Sequence, residues 1–231
     1  MPYTLYIGNK NYSSWSMRPW VLMTQLNIPF EEQLVPFDDG VLGSSFDRFR
    51  VFSPTGLVPC LQHDALTVWE SLGIVEYLAE HHQEVWPVDQ TTRAWARSAA
   101  SEMHAGFSAL RNECPMTVGL RIKLHTQSEA LGKDLARITE LWAEGLQRFG
   151  GPYLAGDTFT AVDAFFAPVA YRLQTYGLAT NDTLRGYMTT ILDTAAVQQW
   201  SADALAETFR EPAHEEELAE LGEWLEDLRA T

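Results

Sequence analysis

The sequence predicts an α/β half followed by an all-helical half. Residues 1–82 alternate between short strand patterns and helix patterns. Residues 83–92, which include Trp86-Pro87, interrupt that alternation. From residue 93 to residue 231, apolar side chains recur mostly at helical spacing, so we interpret 83–92 as a linker between two domains.

The first half contains strand and helix patterns in the order βαβαββα. Residues 3–7 alternate as in a strand and stop before Gly8, and the helix that follows tolerates Pro19 in its first turn. Two short apolar runs around His63-Asp64-Ala65 indicate a hairpin. The predicted strands are 3–7, 32–36, 59–62 and 66–69, and the predicted helices are 17–26, 44–52 and the segment that begins at Glu70-Ser71.

In the second half, three segments show helical periodicity. Apolar residues from Ile138 to Phe149 recur every three or four positions and stop before Gly150-Gly151-Pro152. A second helix is predicted to contain residues 103–111 and to end at Cys114-Pro115. A third apolar series lies near the end of the chain, with acidic residues on its solvent side: Leu218, Leu221, Trp224, Leu225 and Leu228.

The composition argues against several functional classes. A formal net charge of -15, with Lys and Arg scattered along the chain, disfavours nucleic acid and membrane surfaces as partners. The chain shows no signal-peptide pattern and no apolar run of about 20 residues, so we expect a cytoplasmic protein. Cys60 and Cys114 are too few for a disulfide framework or a cysteine metal site, and we expect buried thiols and no metal.

The segment from Asn11 to Arg18, between the first strand and the first helix, is the best candidate for chemistry. Free N–H groups and the helix dipole favour an anion at such a junction, and a hydroxyl there can stabilise a thiolate. The segment contains Ser13, Ser14 and Ser16. Serines before a helix are more often N-caps, and we interpret Ser16 as a cap.

Two further segments have both a structural and a functional interpretation. Val58-Pro59 precedes a strand, where the proline is either an ordinary trans residue or part of a binding loop. Glu70-Ser71 opens a helix, where the hydroxyl and N–H groups could bind a carboxylate and the Glu an ammonium group. The alternative is a helix cap with an acidic first turn.

Taken together and in this order, these segments resemble the glutathione transferase family over essentially the whole chain. The closest likeness is to the zeta class and related bacterial members, whose Ser-Ser-Cys-x-x-Arg stretch is matched here by Ser13-Ser14-Trp15-Ser16-Met17-Arg18. These proteins also have a Val-Pro pair before the third strand, which Val58-Pro59 matches here. At the third helix they have an acidic or amide residue followed by Ser, which Glu70-Ser71 matches. Phe159-Thr160-Ala161-Val162-Asp163 looks like the family's folding signature, a capping box.

The resemblance implies a thioredoxin-like N-terminal domain, a C-terminal helical bundle domain and a homodimer. It implies that Ser13 donates a hydrogen bond to the glutathione sulfur and holds it as a thiolate, with Ser14 as the alternative donor and Trp15 beside them. The rest of the implied glutathione site is Val58, through its backbone, a cis Pro59, Glu70 and Ser71 at the γ-glutamyl end, and Ser44 or Ser45 at the glycyl end.

Trp15 departs from the zeta pattern, which has Cys at this position. An indole cannot form a mixed disulfide with glutathione, so Trp15 argues against the isomerase activity of the zeta class in this chain. The serines of this loop likewise argue against thiol exchange.

The electrophile site is expected between the two halves, facing the predicted helix 103–111. Its candidates are Met103, His104, Phe107 and Arg111. His104 and Arg111 are seven residues apart and would share a helix face, where they could bind an anionic substrate group or form salt bridges with Asp or Glu. Met103 and Phe107 are alternatively core residues.

The leading functional hypothesis is a detoxifying glutathione S-transferase, with glutathione as co-substrate and a small electrophile as second substrate. The alternatives are a glutathione-dependent isomerase, dehalogenase or peroxidase on the same fold, and a binding protein without catalysis.

Overall fold

The computed structural model of the chain describes residues 2–37, 44–179 and 181–230. Its first half is a four-stranded sheet with helices. The elements are β1 (Tyr3–Ile7), α1 (Ser14–Gln25), β2 (Phe30–Leu34), α2 (Ser44–Phe49), β3 (Cys60–His63), β4 (Leu66–Trp69) and α3 (Ser71–Ala79). The order βαβαββα is therefore confirmed.

The sheet has the strand order β2-β1-β3-β4. β1 pairs with β2 in parallel, and with β3 antiparallel, and β3 and β4 form the predicted hairpin. Alternate residues of β1, namely Tyr3, Leu5 and Ile7, are buried in the core. α1 begins three residues earlier than predicted, so Pro19 lies inside the helix rather than in its first turn.

The second half is mostly helical and is arranged around one central helix. Its elements are α4 (Gln90–Ala105), α5 (Ser108–Glu113), β5 (Leu120–Leu124), α6 (Glu129–Phe149), α7 (Ala161–Thr175), α8 (Asp182–Leu192), α9 (Ala195–Ala206), α10 (Pro212–Leu221) and β6 (Gly222–Asp227). Almost every side chain of α7 is buried, and the helix packs against α1, α4 and α8. A helix that is buried on nearly all sides is typical of such a central position.

The expectation of an all-helical second half needs correction at the end of the chain. The predicted C-terminal helix stops at Leu221, and β6 pairs antiparallel with β5. A Cβ atom at Gly222 would lie 2.5 Å from the carbonyl oxygen of Lys123, so the close approach of the two strands requires glycine there. The apolar spacing continued past this glycine and therefore suggested a helix where a strand forms.

The predicted helix over 103–111 is also wrong, because the chain breaks it in the middle. α4 ends at Ala105, and Phe107 adopts a left-handed conformation with φ 57° before α5 begins at Ser108. A Cβ atom at Gly106 would lie 2.8 Å from the carbonyl oxygen of Glu102. Gly106 therefore permits a tight helix end that helical periodicity alone does not indicate.

The predicted linker 83–92 contains structured elements. Residues Gln83–Val85 form a single 3-10 turn. Asp89 caps α4, and its carboxylate accepts a hydrogen bond from the Thr92 N–H at 2.8 Å. The last residues of the predicted linker, from Gln90, therefore belong to α4.

The capping box at the start of α7 forms as predicted. The Asp163 side chain is fully buried, and its carboxylate accepts hydrogen bonds from the N–H groups of Thr160 and Leu154, each at 2.9 Å. The Tyr187 hydroxyl donates a third at 2.7 Å. Asp163 thereby connects α7, α8 and the preceding loop in the centre of the helical half.

Buried polar contacts hold the β1–α1 loop against the helical half. The Lys10 ammonium group is buried and lies 2.8 Å from Glu32 and 2.6 Å from Asp203, and its backbone N–H donates to Glu207 at 2.7 Å. The side chain of Asn11 donates to the carbonyl of Ala204 at 2.6 Å. The loop that precedes α1 is thus positioned by both halves.

Two glycines of α6 provide a matched test of the packing between α4 and α6. A Cβ atom at Gly145 would lie 2.5 Å from the Trp95 ring and 2.7 Å from the Leu154 carbonyl, whereas Gly132 has open space around it. We expect Gly145→Ala to lower the free energy of unfolding by about 1–3 kcal/mol through overpacking. Gly132→Ala should raise it by about 0.5–1 kcal/mol through lower backbone entropy. Urea denaturation measures both, and a stabilised Gly145→Ala variant would contradict the packing described.

Candidate functional site

A cavity of about 340 Å³ lies where the two halves meet. Residues of the β1–α1 junction, the loop before β3, the start of α3 and the end of α4 line it. They are Trp15, Thr55, Leu57, Val58, Pro59, Glu70 and His104. The sequence-predicted residues Trp15, Val58, Pro59, Glu70 and His104 are therefore brought together around one space. The predicted serines Ser13, Ser14 and Ser71 are buried next to these residues in the chain and are not among those that line the cavity.

Ser13 is the N-cap of α1, so the interpretation of Ser16 as the cap was wrong. The Ser13 hydroxyl accepts a hydrogen bond from the Ser16 N–H at 3.3 Å and donates to the Ser16 hydroxyl oxygen at 2.7 Å. The Ser16 oxygen also accepts from the Gly8 N–H at 3.2 Å. In this arrangement the hydroxyl proton of Ser13 is already used within the protein.

Ser14 has a different set of contacts. Its hydroxyl oxygen accepts a hydrogen bond from Nη2 of Arg172 at 3.5 Å, and its side chain is at the first residue of α1. Arg172 is fixed by donation from Nε to the carbonyl of Cys114 at 2.8 Å. Because the oxygen acts as acceptor here, the hydroxyl proton of Ser14 can be donated to a ligand.

The guanidinium of Arg172 is buried, and it brings a positive charge to Ser14. Burial first, and then the charge of Arg111, lower its pKa to about 10. The group therefore remains charged at neutral pH. A cation and the N-terminus of α1 together favour an anion next to Ser14.

The loop before β3 presents the predicted cis proline. The Val58–Pro59 peptide bond is cis, as the resemblance implied, and a second cis bond at Gly151–Pro152 was not foreseen. Val58 lies outside β3, which begins at Cys60. Ser44, expected at the glycyl end, is the first residue of α2, and its side chain lies outside the described residues.

Glu70 lines the cavity at the start of α3, and Ser71 beside it is fully buried. Glu70 has a positive φ of 74° and is the N-cap. Its Oε1 accepts hydrogen bonds from the Ser71 N–H at 2.7 Å and from the Ser71 hydroxyl at 3.3 Å. Its Oε2 lies 3.0 Å from Nε2 of His104. The structural and the functional interpretations of this pair are therefore compatible.

His104 and Arg111 do not share a helix face, because His104 lies on α4 and Arg111 on α5. His104 forms the salt bridge that the sequence left as an alternative, with Glu70 as partner. Arg111 donates to the carbonyls of Gly106 at 3.0 Å and His104 at 3.1 Å, and also to that of Met103, so it caps the end of α4. Met103 and Phe107 are buried in the hydrophobic core.

Trp15 forms the wall between the cavity and the cationic residues behind it. Its ring makes a T-shaped contact with His104, with the centroids 5.3 Å apart. The guanidinium carbons of Arg18 and Arg111 lie 4.1 and 4.9 Å from the ring centroid. Two cation–π contacts thus hold the indole in place.

The roles of Arg18 and Arg172 were not predicted from the sequence. Arg18 follows Trp15 by three residues, so it lies on the same face of α1, and it is fully buried. Nη1 of Arg18 donates to the Ser71 hydroxyl oxygen and pairs with Nδ1 of His104, each at 3.4 Å. Arg172 lies 158 residues from Ser14, and no local pattern could have indicated their contact.

Among the described residues, no cluster of three or more His, Cys, Asp or Glu side chains has an arrangement that could hold a metal ion. No helix within the same residues is both long and apolar enough to cross a membrane. Cys60 and Cys114 are free and buried.

Comparison with known proteins gives similarity over most of the chain. Residues 12–81 match the family model described as glutathione S-transferase, N-terminal domain. A probable maleylacetoacetate isomerase of Caenorhabditis elegans is 26% identical over 183 residues, which cover 75% of this chain and 80% of that protein. The maleylacetoacetate isomerase of Rattus norvegicus is 28% identical over 171 residues, covering 71% of this chain and 74% of that protein.

The fold is shared with solved structures. The crystal structure of a glutathione transferase homolog from Burkholderia, with bound glutathione, is 27% identical to this chain. The similarity covers 88% of this chain and 98% of the other, with a TM-score of 0.66. It confirms the predicted fold class, a thioredoxin-like half followed by a helical half.

Proposed function

Since the chain belongs to the glutathione transferase family, we propose that it binds glutathione in the cavity between its halves and joins it to a small electrophile. The thiolate sulfur would form a bond to an electrophilic carbon, from which a leaving group such as a halide departs. The observation that carries this proposal is the environment of Ser14, a hydroxyl at a helix N-terminus whose oxygen accepts from a buried guanidinium. The bound glutathione of the Burkholderia homolog supports the choice of ligand.

The chemical requirement is an ionised thiol. A free thiol has a pKa of roughly 8.5, and only the thiolate is a strong nucleophile. Each unit by which the site lowers that pKa corresponds to about 1.4 kcal/mol and multiplies the thiolate fraction nearly tenfold near neutral pH. A serine cannot remove the proton as a base at this pH, so it acts by donating a hydrogen bond to the charged sulfur.

We assign this hydrogen bond to Ser14 and a supporting role to Ser13. The Ser13 proton is given to Ser16, and its oxygen caps α1. The Ser14 oxygen accepts from Arg172, which polarises the hydroxyl and makes it a better donor. The resemblance implies Ser13, whereas the hydrogen bonds around the two serines favour Ser14.

The other end of glutathione would lie at α3. The carboxylate of Glu70 would accept hydrogen bonds from the ammonium group of the γ-glutamyl residue, and the N-terminus of α3, which begins at Ser71, would attract its carboxylate. The backbone of Val58, aimed by the cis bond, would pair with the cysteinyl residue. The apolar surface of Trp15 and Leu57 would then face the electrophile.

A second candidate is glutathione-dependent isomerisation, which the names of the two isomerase relatives support. Trp15 stands where the zeta class has a cysteine, which weakens this candidate. An assay of both reactions on the same preparation separates the two.

We further propose a cytoplasmic location and a homodimer. The exposed apolar side chains of Leu66 and Trp69 support the homodimer.

The direct test is retention on immobilised glutathione followed by a conjugation assay with an activated aryl halide. We expect the protein to be retained, to be eluted by free glutathione, and to accelerate conjugation above the spontaneous rate. A protein that is neither retained nor shows heat of binding with glutathione in calorimetry would contradict the proposal. Binding without acceleration of any conjugation or isomerisation would favour the non-catalytic alternative.

A further inference from the structure

Glu70, Ser71, Arg18 and His104 form a closed ring of hydrogen bonds. Arg18 donates from Nη1 to the Ser71 hydroxyl oxygen and faces Nδ1 of His104, both at 3.4 Å. Ser71 donates to Oε1 of Glu70, and Nε2 of His104 lies 3.0 Å from Oε2. Each carboxylate oxygen of Glu70 is therefore held by a different neighbour. His104 is the member of the ring that comes from the helical half.

The ring fixes the tautomer of His104. A guanidinium has only donor groups, so Nδ1 of His104 must accept the hydrogen bond from Arg18. The proton of the neutral imidazole is then on Nε2, where it is donated to Glu70. The geometry thus requires the neutral form of the ring.

The surroundings of His104 favour that form. The charged groups facing it are Glu70 at the start of α3, Arg18 of α1 and Arg111 of α5, while Trp15 and Phe165 contribute uncharged rings. Burial first, and then Arg18 and Arg111, lower the pKa of His104, and Glu70 partly opposes them. Since an unperturbed His has a pKa near 6.5, the ring is neutral at pH 7.

We propose that His104 is a positioning residue for glutathione, and that in its neutral form it orients the Glu70 carboxylate toward the ammonium group of the ligand. This inference rests on the proposed function. The Glu70 side chain is 46% exposed, so without His104 its Oε2 would be free to turn into solvent. The helical half would thereby control how well the α/β half binds the γ-glutamyl end.

Protonation of His104 would disrupt this arrangement in two ways. The added proton on Nδ1 would face the Nη1 group of Arg18, where a donor meets a donor. The imidazolium would also compete with the ligand's ammonium group for Glu70. Affinity for glutathione should therefore fall as the pH drops below the range in which His104 is neutral.

The test compares His104→Gln and His104→Leu by calorimetry with S-methylglutathione, whose sulfur cannot ionise. Glutamine offers an N–H for Glu70 and a carbonyl for Arg18 and does not titrate, whereas leucine offers neither. At about pH 7.5 we expect roughly tenfold weaker binding for His104→Leu and less than about threefold for His104→Gln. Between about pH 7.5 and 5.5 the wild type should lose affinity and His104→Gln should not. In steady-state assays, the KM for glutathione should change more than kcat.

His82→Gln is the matched control. In the wild type, Nδ1 of His82 lies 3.8 Å from Glu84, and the His82 side chain is 24% exposed, against 22% for His104. Unlike His104, His82 does not line the cavity. The His82→Gln variant should bind like the wild type at both pH values. Equal affinity of His104→Leu and wild type, or acid sensitivity retained in His104→Gln, would overturn the inference. A wild type that binds no S-methylglutathione and no glutathione would instead overturn the proposed function on which the inference rests.

Discussion

Ser14→Ala should lose about 10²-fold or more in kcat, because removing one donor that stabilises a charged reacting atom typically costs about 3 kcal/mol. Its affinity for glutathione should change far less, since Glu70, Ser71 and the Val58 backbone hold other parts of the tripeptide. Arg172 would also lose its hydroxyl acceptor, which leaves one buried guanidinium N–H without that partner. Steady-state kinetics with saturating glutathione measure the effect.

Ser13→Ala is the control for this prediction. It removes the N-cap of α1, so we expect a loss of about 1 kcal/mol of stability and a much smaller loss of kcat. A large loss of kcat in Ser13→Ala with an active Ser14→Ala variant would reverse the assignment of the two serines. Losses of similar size in both would contradict the division of roles proposed above.

Asp163→Ala should be the most destabilising of these substitutions. It leaves two buried N–H groups, of Thr160 and Leu154, and the Tyr187 hydroxyl without their acceptor. An unsatisfied buried donor costs about 1–3 kcal/mol, so we expect a loss of about 4 kcal/mol in the free energy of unfolding. Urea denaturation monitored by tryptophan fluorescence measures it.

Asp182→Ala is the matched surface control, because Asp182 is exposed and pairs only with Arg185 among the contacts described. Its loss should stay within about 0.5 kcal/mol. A cost for Asp163→Ala as small as that of Asp182→Ala would contradict the role of the capping box.

The cost of Asp163→Ala should also depend on pH. Burial raises the pKa of Asp163 to about 6, and its hydrogen bonds only partly offset this rise from the unfolded value of 3.8. The folded state therefore holds this proton more tightly, and the associated stability is present below about pH 4 and lost as the pH rises through about 6. The difference in stability between wild type and variant should be larger near pH 5 than near pH 7.5.

Local patterns predicted most of the first half because its elements are defined by nearby residues. The alternation of residues 3–7 identified β1, and the apolar runs around His63-Asp64-Ala65 identified the hairpin. Glu70-Ser71 at the start of α3 and the capping box at Asp163 are equally local signals, since their partners are adjacent or three residues away. Contacts between residues so close in the chain can be inferred from the sequence.

Other features depended on contacts between distant parts of the chain. Glycines at close backbone approaches determine two of these features, the end of α4 at Gly106 and the strand β6 that begins at Gly222. The spacing of apolar residues does not reveal such approaches. Arg172 reaches Ser14 only because α7 packs against α1. The pairing of His104 with Glu70 likewise required knowing how α4 lies beside α3.

The central claim is that the site near Ser14 keeps the sulfur of glutathione ionised, and an ultraviolet titration of the bound thiolate tests it most directly. In the wild-type complex we expect a thiol pKa about one to two units below the free value of roughly 8.5, and in Ser14→Ala a return toward that value. A bound thiol that titrates like the free one in the wild type would contradict the account.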